Sequence, residues 1–109
     1  MRHAAGIAAL ALAALACAQP AAAGDAARGK EKAAKCKTCH GIDGIAKIPI
    51  APHLAGESQI YLETQLKAFR SGKRVHEMMS VIAKDLTDED ISDVAAWYAS
   101  IRITAEMPQ

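Results

Sequence analysis

The chain has 109 residues, 13 Lys and Arg against 12 Asp and Glu, and a formal net charge of +1. That balance speaks against nucleic acid as the main partner, because domains that bind it are usually strongly basic. The length leaves room for one ordinary domain, and only 4% of the residues are aromatic, so few large apolar side chains are on hand to build a core.

In chain order, the first segment opens with the basic Arg2 and His3 and runs on in small and apolar residues from Ala4 to Cys17. It turns more polar at Gln19 and Pro20 and ends in Ala21, Ala22 and Ala23. This is the layout of a secretory signal peptide cleaved before Gly24. The apolar run falls short of the ~18–20 residues of a membrane span. "ALAC" offers lipidation at Cys17 as an alternative, although Leu15 sits one place nearer the cysteine than such signals usually have it. The expectation is an exported, periplasmic protein with residues 24–109 as its single domain, attached to a membrane only if Cys17 is lipidated. Removing residues 1–23 takes away Arg2 and Cys17, leaving 12 basic and 12 acidic side chains and two cysteines, Cys36 and Cys39. A domain this small often needs a metal, a disulfide or a cofactor to complete its core.

Three helices are predicted in the domain. "GDAARGKEKAAKCKTC" holds strong helix formers, with Asp25 as N-cap. "ESQIYLETQLKAFRSG" starts at Ser58 and stops at Gly72, with Leu62, Leu66 and Phe69 on one face. "TDEDISDVAAWYASIRI" opens with a capping-box pattern from Thr87 to Asp90, and Ile91, Val94, Ala95, Tyr98 and Ile101 form its apolar stripe. Two long loops lie between, and "SVIAK" in the second suggests one helical turn. Loops this long in a small domain usually carry function. No segment alternates long enough to propose a strand, so the fold class expected is all-α.

"KCKTCHG", residues 35–41, carries the chemistry. Cys-x-x-Cys serves thiol–disulfide exchange, half a zinc site, or covalent haem attachment. A thioredoxin-like motif needs a strand and a parallel sheet, whereas here a helix precedes the pair. A zinc site needs three or four ligands. Cys36, Cys39 and His40 could supply three, though adjacent residues chelate one ion awkwardly, and His53 or His76 would have to add a fourth. Haem attachment needs two thiols for the two vinyl groups and a histidine for the iron, in the order this stretch has, and export suits it. A plain disulfide would leave His40 without a role.

With "CKTCHG", the proline loop "IPIAPHLAGES", the helix "YLETQLKAFRSG", a methionine loop and "LTDEDISDVAAWYAS" in that order, residues 24–109 resemble a class I cytochrome c. The likeness is to one half of tandem two-haem bacterial cytochromes and to the cytochrome subunit of flavocytochrome c sulfide dehydrogenases. The resemblance implies one covalent haem c on Cys36 and Cys39, three main helices with long loops wrapped around it, and His40 as proximal iron ligand. It places the second ligand seven residues before Leu86, at Met79, with Met78 the runner-up and His76 a competitor. A thioether opposite a histidine raises the haem potential. The acceptor for the second ring N–H of His40 is expected at the Pro52 carbonyl. Tyr61, Gln65 and Arg74 are candidates to reach a haem propionate. Gly29 and Tyr98 suit the close crossing of first and last helices that the family has.

With both axial positions filled by protein, the implied work is single-electron transfer rather than catalysis, between a donor and an acceptor redox protein. Lys35, Lys37, Lys47, Lys67, Arg70, Lys73 and Arg74 would form a basic rim, opposite an acidic end of Asp85, Asp88, Glu89, Asp90 and Asp93. The alternatives are the cytochrome subunit of a flavin-containing, sulfide-type dehydrogenase, with a flavoprotein as partner, and a haem sensor or peroxidase-like protein.

Overall fold

Asp25 caps the first helix, its carboxylate accepting the Arg28 N–H at 2.9 Å. The structure is a computed structural model and describes Met1 and residues 24–109. The expected signal peptide and Cys17 lie outside the described residues. The elements are α1 (Ala26–Lys32), a 3₁₀ turn (Ala33–Lys35), α2 (Lys37–His40), α3 (Gln59–Ser71), α4 (Met79–Lys84) and α5 (Asp88–Ser100). Among the described residues there is no strand, in keeping with the all-α expectation.

The first predicted helix does not run unbroken into the cysteine pair. At Ala33 the backbone tightens, and the Cys36 N–H reaches back only to the Ala33 carbonyl, at 2.8 Å. Ala33 is wholly buried against the core, where a small side chain lets the turn press inward. Cys36 and Cys39 thus stand on a separate short turn whose register α1 does not set.

α3 and α5 follow their sequence signals closely. Ser58 Oγ accepts the Tyr61 N–H at 3.1 Å, and α3 closes at Gly72. Thr87 Oγ1 accepts the Asp90 N–H while the Asp90 carboxylate accepts the Thr87 N–H, both at 3.0 Å. These bonds satisfy amides that have no carbonyl one turn earlier. α5 ends at Ser100, and Ile101, expected as the last residue of the stripe, is extended while still packing on the core. The "SVIAK" turn is a slightly longer helix that begins at Met79.

The core gathers Ala33, Leu62, Val94, Ala95 and Tyr98, so α3 and the 3₁₀ turn pack on α5. Burying side chains such as Leu62 and Val94 stabilises by about 1.5–3 kcal/mol each. α1 crosses α5 at Gly29, where a Cβ would run into the Asp93 carbonyl and the Trp97 Cβ. At the crossing Asp93 and Trp97 meet the glycine, while Tyr98 packs in the core with Ala33.

The acidic end of α5 is corrected too. Asp93 is only 1% exposed, and its carboxylate accepts the Asp25 N–H at 2.7 Å, Arg28 Nε at 3.1 Å and Lys32 Nζ at 2.9 Å. Lys32 also meets Asp90, and Arg70, expected in the basic rim, binds Asp88 at 2.6 Å. Much of that acidic cluster is therefore bound to α1 and α3 and does not form a free negative surface. Gly29 explains Asp93: its missing Cβ brings α1 close enough for Arg28 and Lys32 to reach a carboxylate under the crossing.

Candidate functional site

His40 is held in one orientation. It is 7% exposed, and its Nδ1–H donates to the Pro52 carbonyl at 2.9 Å. A carbonyl only accepts, so Nδ1 carries the proton and Nε2 keeps the lone pair. Loop bonds bring Pro52 there from twelve residues away. The Lys47 N–H donates to the Cys39 carbonyl and the Leu54 N–H to the Gly44 carbonyl, both at 2.8 Å, and the Ala46 N–H donates to His53 Nδ1 at 2.9 Å. Gly41 makes the turn after His40 feasible, since its φ is +75° and a Cβ would meet the Asp43 side chain and the Ile45 carbonyl. α5 holds the same corner from the core side: the Tyr98 hydroxyl donates to the Gly41 carbonyl, and Trp97 Nε1–H to the Ile42 carbonyl, each at 2.9 Å.

These residues face a cavity of about 360 Å³, in the ~300–1,000 Å³ range of small-molecule sites. Its apolar walls include Leu62, Leu66, Phe69, Ile82 and Leu86. Every site residue expected from the sequence lines it: Cys36, Cys39, His40 and Pro52 on one side of the chain order, Tyr61, Gln65, Arg74, Met78 and Met79 on the other. Met79 is half-buried, whereas Met78 is 49% exposed. The Arg74 guanidinium donates to Gln65 Oε1 at 2.7 Å and lies over the Phe69 ring, 4.6 Å from its centre. Tyr61 is half exposed. Of the expected basic rim, Lys35 and Arg74 line the cavity, while Lys47 pairs with Asp43 at 3.2 Å and Arg70 is committed to Asp88.

The donor set decides among the three chemistries. Both thiols are free. Burial pushes the Cys36 thiol up to about 11, opposite to the lowered value of an exchange nucleophile. Among the described residues no three His, Cys, Asp or Glu side chains converge where one metal ion could be held, so Cys36, Cys39 and His40 do not form a zinc centre. Two thiols, an imidazole fixed in one tautomer, a thioether and apolar walls around one cavity fit a haem.

The sequence profile described as Cytochrome c matches residues 26–102. The chain belongs to the cytochrome c family. This cytochrome is 48% identical over 74 residues to the cytochrome c-554(548) of Halomonas halodenitrificans, covering 65% of this chain and 89% of that one. The crystal structure of reduced recombinant cytochrome c4 from Pseudomonas stutzeri superposes with a TM-score of 0.69 at 36% identity, over 73% of this chain and 47% of that one. The thiosulfate dehydrogenase electron acceptor of Stutzerimonas stutzeri is 40% identical over 70 residues, 62% of this chain and 32% of that protein. This cytochrome thus spans less than half of the latter two. Members of the family bind haem c covalently, and Cys36, Cys39 and His40 form the motif that does so. The domain is of the cytochrome c4-like electron-transfer class.

Sequence reasoning missed the bonds that Trp97 and His76 make. The Trp97 indole is a stripe-edge residue on α5, and nothing in its spacing signals a bond to Ile42. His76 Nδ1 accepts from the backbone N–H groups of Met78 and Met79, at 3.2 and 3.3 Å. The ring proton then sits on Nε2, so in this arrangement the imidazole, which lines the same cavity, has its one lone pair engaged by backbone.

Proposed function

We propose that this cytochrome is an exported, periplasmic single-electron carrier in which His40 and Met79 fill the two axial positions of the haem iron. Haem c supplies a one-electron iron couple when attached. The observation that carries the reading is the His40–Pro52 bond beside a cavity that Met79 also lines: it leaves Nε2 as the nitrogen that would bind the iron and keeps the ring from swinging. With His40 and Met79 both holding the iron, no position would be left for a substrate, which would argue against the sensor and peroxidase-like readings. Leu62, Leu66 and Phe69 give the cavity apolar walls. Gln65 accepts from Arg74 beside the cavity, and Arg74 and Tyr61, which both line it, would be the residues to meet a carboxylate of the cofactor.

A second reading, the electron-accepting partner of a dehydrogenase, is favoured by the likeness to a protein named as a thiosulfate dehydrogenase electron acceptor. The flavoprotein partner expected from the sequence is one form of it. Among the described residues no helix is long and apolar enough to cross a membrane. Export rests on residues 1–23 as a cleaved signal. The test is to purify the native protein from the periplasmic fraction and weigh it. A haem-bearing chain that starts at Gly24 and elutes alone supports the free carrier. Co-elution with a larger dehydrogenase supports the second reading, and a start at Cys17 with acyl chains overturns the soluble form.

A further inference from the structure

His76 makes bonds that the electron-transfer reading does not use. Its Nδ1 accepts from the Met78 and Met79 amides at 3.2 and 3.3 Å. Its own backbone N–H donates to Ser80 Oγ at 3.0 Å, and the Ser80 N–H donates to the His76 carbonyl at 2.9 Å. The two methionines are bracketed between residues 76 and 80. The cause is local. Met78 precedes α4 and Met79 opens it, so their amides have no helical carbonyl to bond. A side chain that accepts from the amides two and three residues ahead is the arrangement that Asn, Asp, Ser and Thr make at turns, and here an imidazole takes that part.

The segment needs such a clasp. Ser71 to Met78 are all exposed, and before His76 the loop is tied back by the Arg74 N–H to the Ala68 carbonyl at 3.1 Å. Two adjacent methionines line the same cavity, on flexible side chains with weakly binding sulfurs. Met79 opens α4 and is half-buried, whereas Met78 lies before it and is 49% exposed.

We propose that His76 is a positioning residue: by holding both amides it keeps the Met79 thioether, and not that of Met78, turned to the iron and slows its departure. The proposal rests on Met79 being the axial ligand.

Three variants of the haem-loaded protein test it. His76→Ala removes the acceptor, His76→Phe keeps ring bulk without it, and His76→Asn supplies an oxygen that reaches the same amides. The readouts are the methionine–iron absorption band of the oxidised protein, the rate at which it takes up added imidazole, and the melting temperature. Loss of the acceptor should speed imidazole uptake about tenfold in His76→Ala and His76→Phe. His76→Asn should stay within about twofold of the wild type. A purely structural role would move the melting temperature and leave uptake unchanged. Wild-type uptake rates in all three variants, or an Asn variant as fast as the Ala variant, would overturn the proposal. A wild-type protein without the methionine band would overturn the ligand assignment itself, and the proposal with it.

Discussion

The Tyr98 hydroxyl donates to the Gly41 carbonyl at 2.9 Å, tying the last helix to the residue directly after His40. Tyr98 is 1% exposed, and burial raises its phenol above the usual tyrosine value, so the O–H stays protonated and donating through the whole physiological range. The bond joins the core to the corner that aims the imidazole.

Tyr98→Phe keeps the packing and removes that donor. The Gly41 carbonyl, itself in a buried residue, then loses its partner. A loss of about 1–3 kcal/mol in unfolding free energy is expected, read as a lower denaturant midpoint of the haem protein. An unchanged midpoint would mean that water replaces the hydroxyl without cost.

Gly29→Ala places a methyl against the Asp93 carbonyl and Trp97. Backbone, not a flexible side-chain end, stands in the way, so α1 must move off α5. The expected cost is about 1–3 kcal/mol, opposite in sign to the helix-propensity gain of ~1 kcal/mol that alanine brings to an exposed helix. Thermal melting of the two proteins side by side gives the sign.

How much of this was legible beforehand differs by residue. Ser58, Thr87 and Asp90 announce their helix starts because capping is a local bond between near neighbours in sequence. Cys36, Cys39 and His40 are equally readable, since the chemistry requires their adjacency. Pro52 was placed by family resemblance, as its bond to His40 spans a loop that only the fold closes. Asp93 was misread as a solvated acid. Its burial depends on Gly29, Arg28 and Lys32, more than sixty residues away, and no periodicity carries such a pairing. The turn role of His76 was hidden for another reason: an imidazole standing in for an Asn-type turn side chain has no sequence signature.

Asp93 should also shape the acid limb of stability. The Arg28 guanidinium, the Asp25 N–H and Lys32 hold its carboxyl well below the usual range. The folded value is depressed, so the unfolded chain takes up the proton first. The stabilisation is complete above the unfolded value near ~3.9 and is lost as pH falls below it. Asp93→Asn removes this contribution, about 1.5–3 kcal/mol for hydrogen bonds to a charged group. Urea midpoints should differ most between wild type and variant at neutral pH and converge below about pH 4. A constant gap down to pH 2 would show that Asp93 does not titrate with unfolding.

The most direct measurement for the central claim, a closed carrier with His40 and Met79 on the iron, is the visible absorption spectrum of the oxidised, purified haem protein, wild type beside Met79→Ala and Met78→Ala. The methionine–iron band toward the red end should be present in the wild type, persist in Met78→Ala, and vanish in Met79→Ala, where the iron opens to water and added ligands. A band that survives in Met79→Ala and disappears in Met78→Ala would contradict the assignment, and a wild type with no such band would contradict the closed carrier altogether.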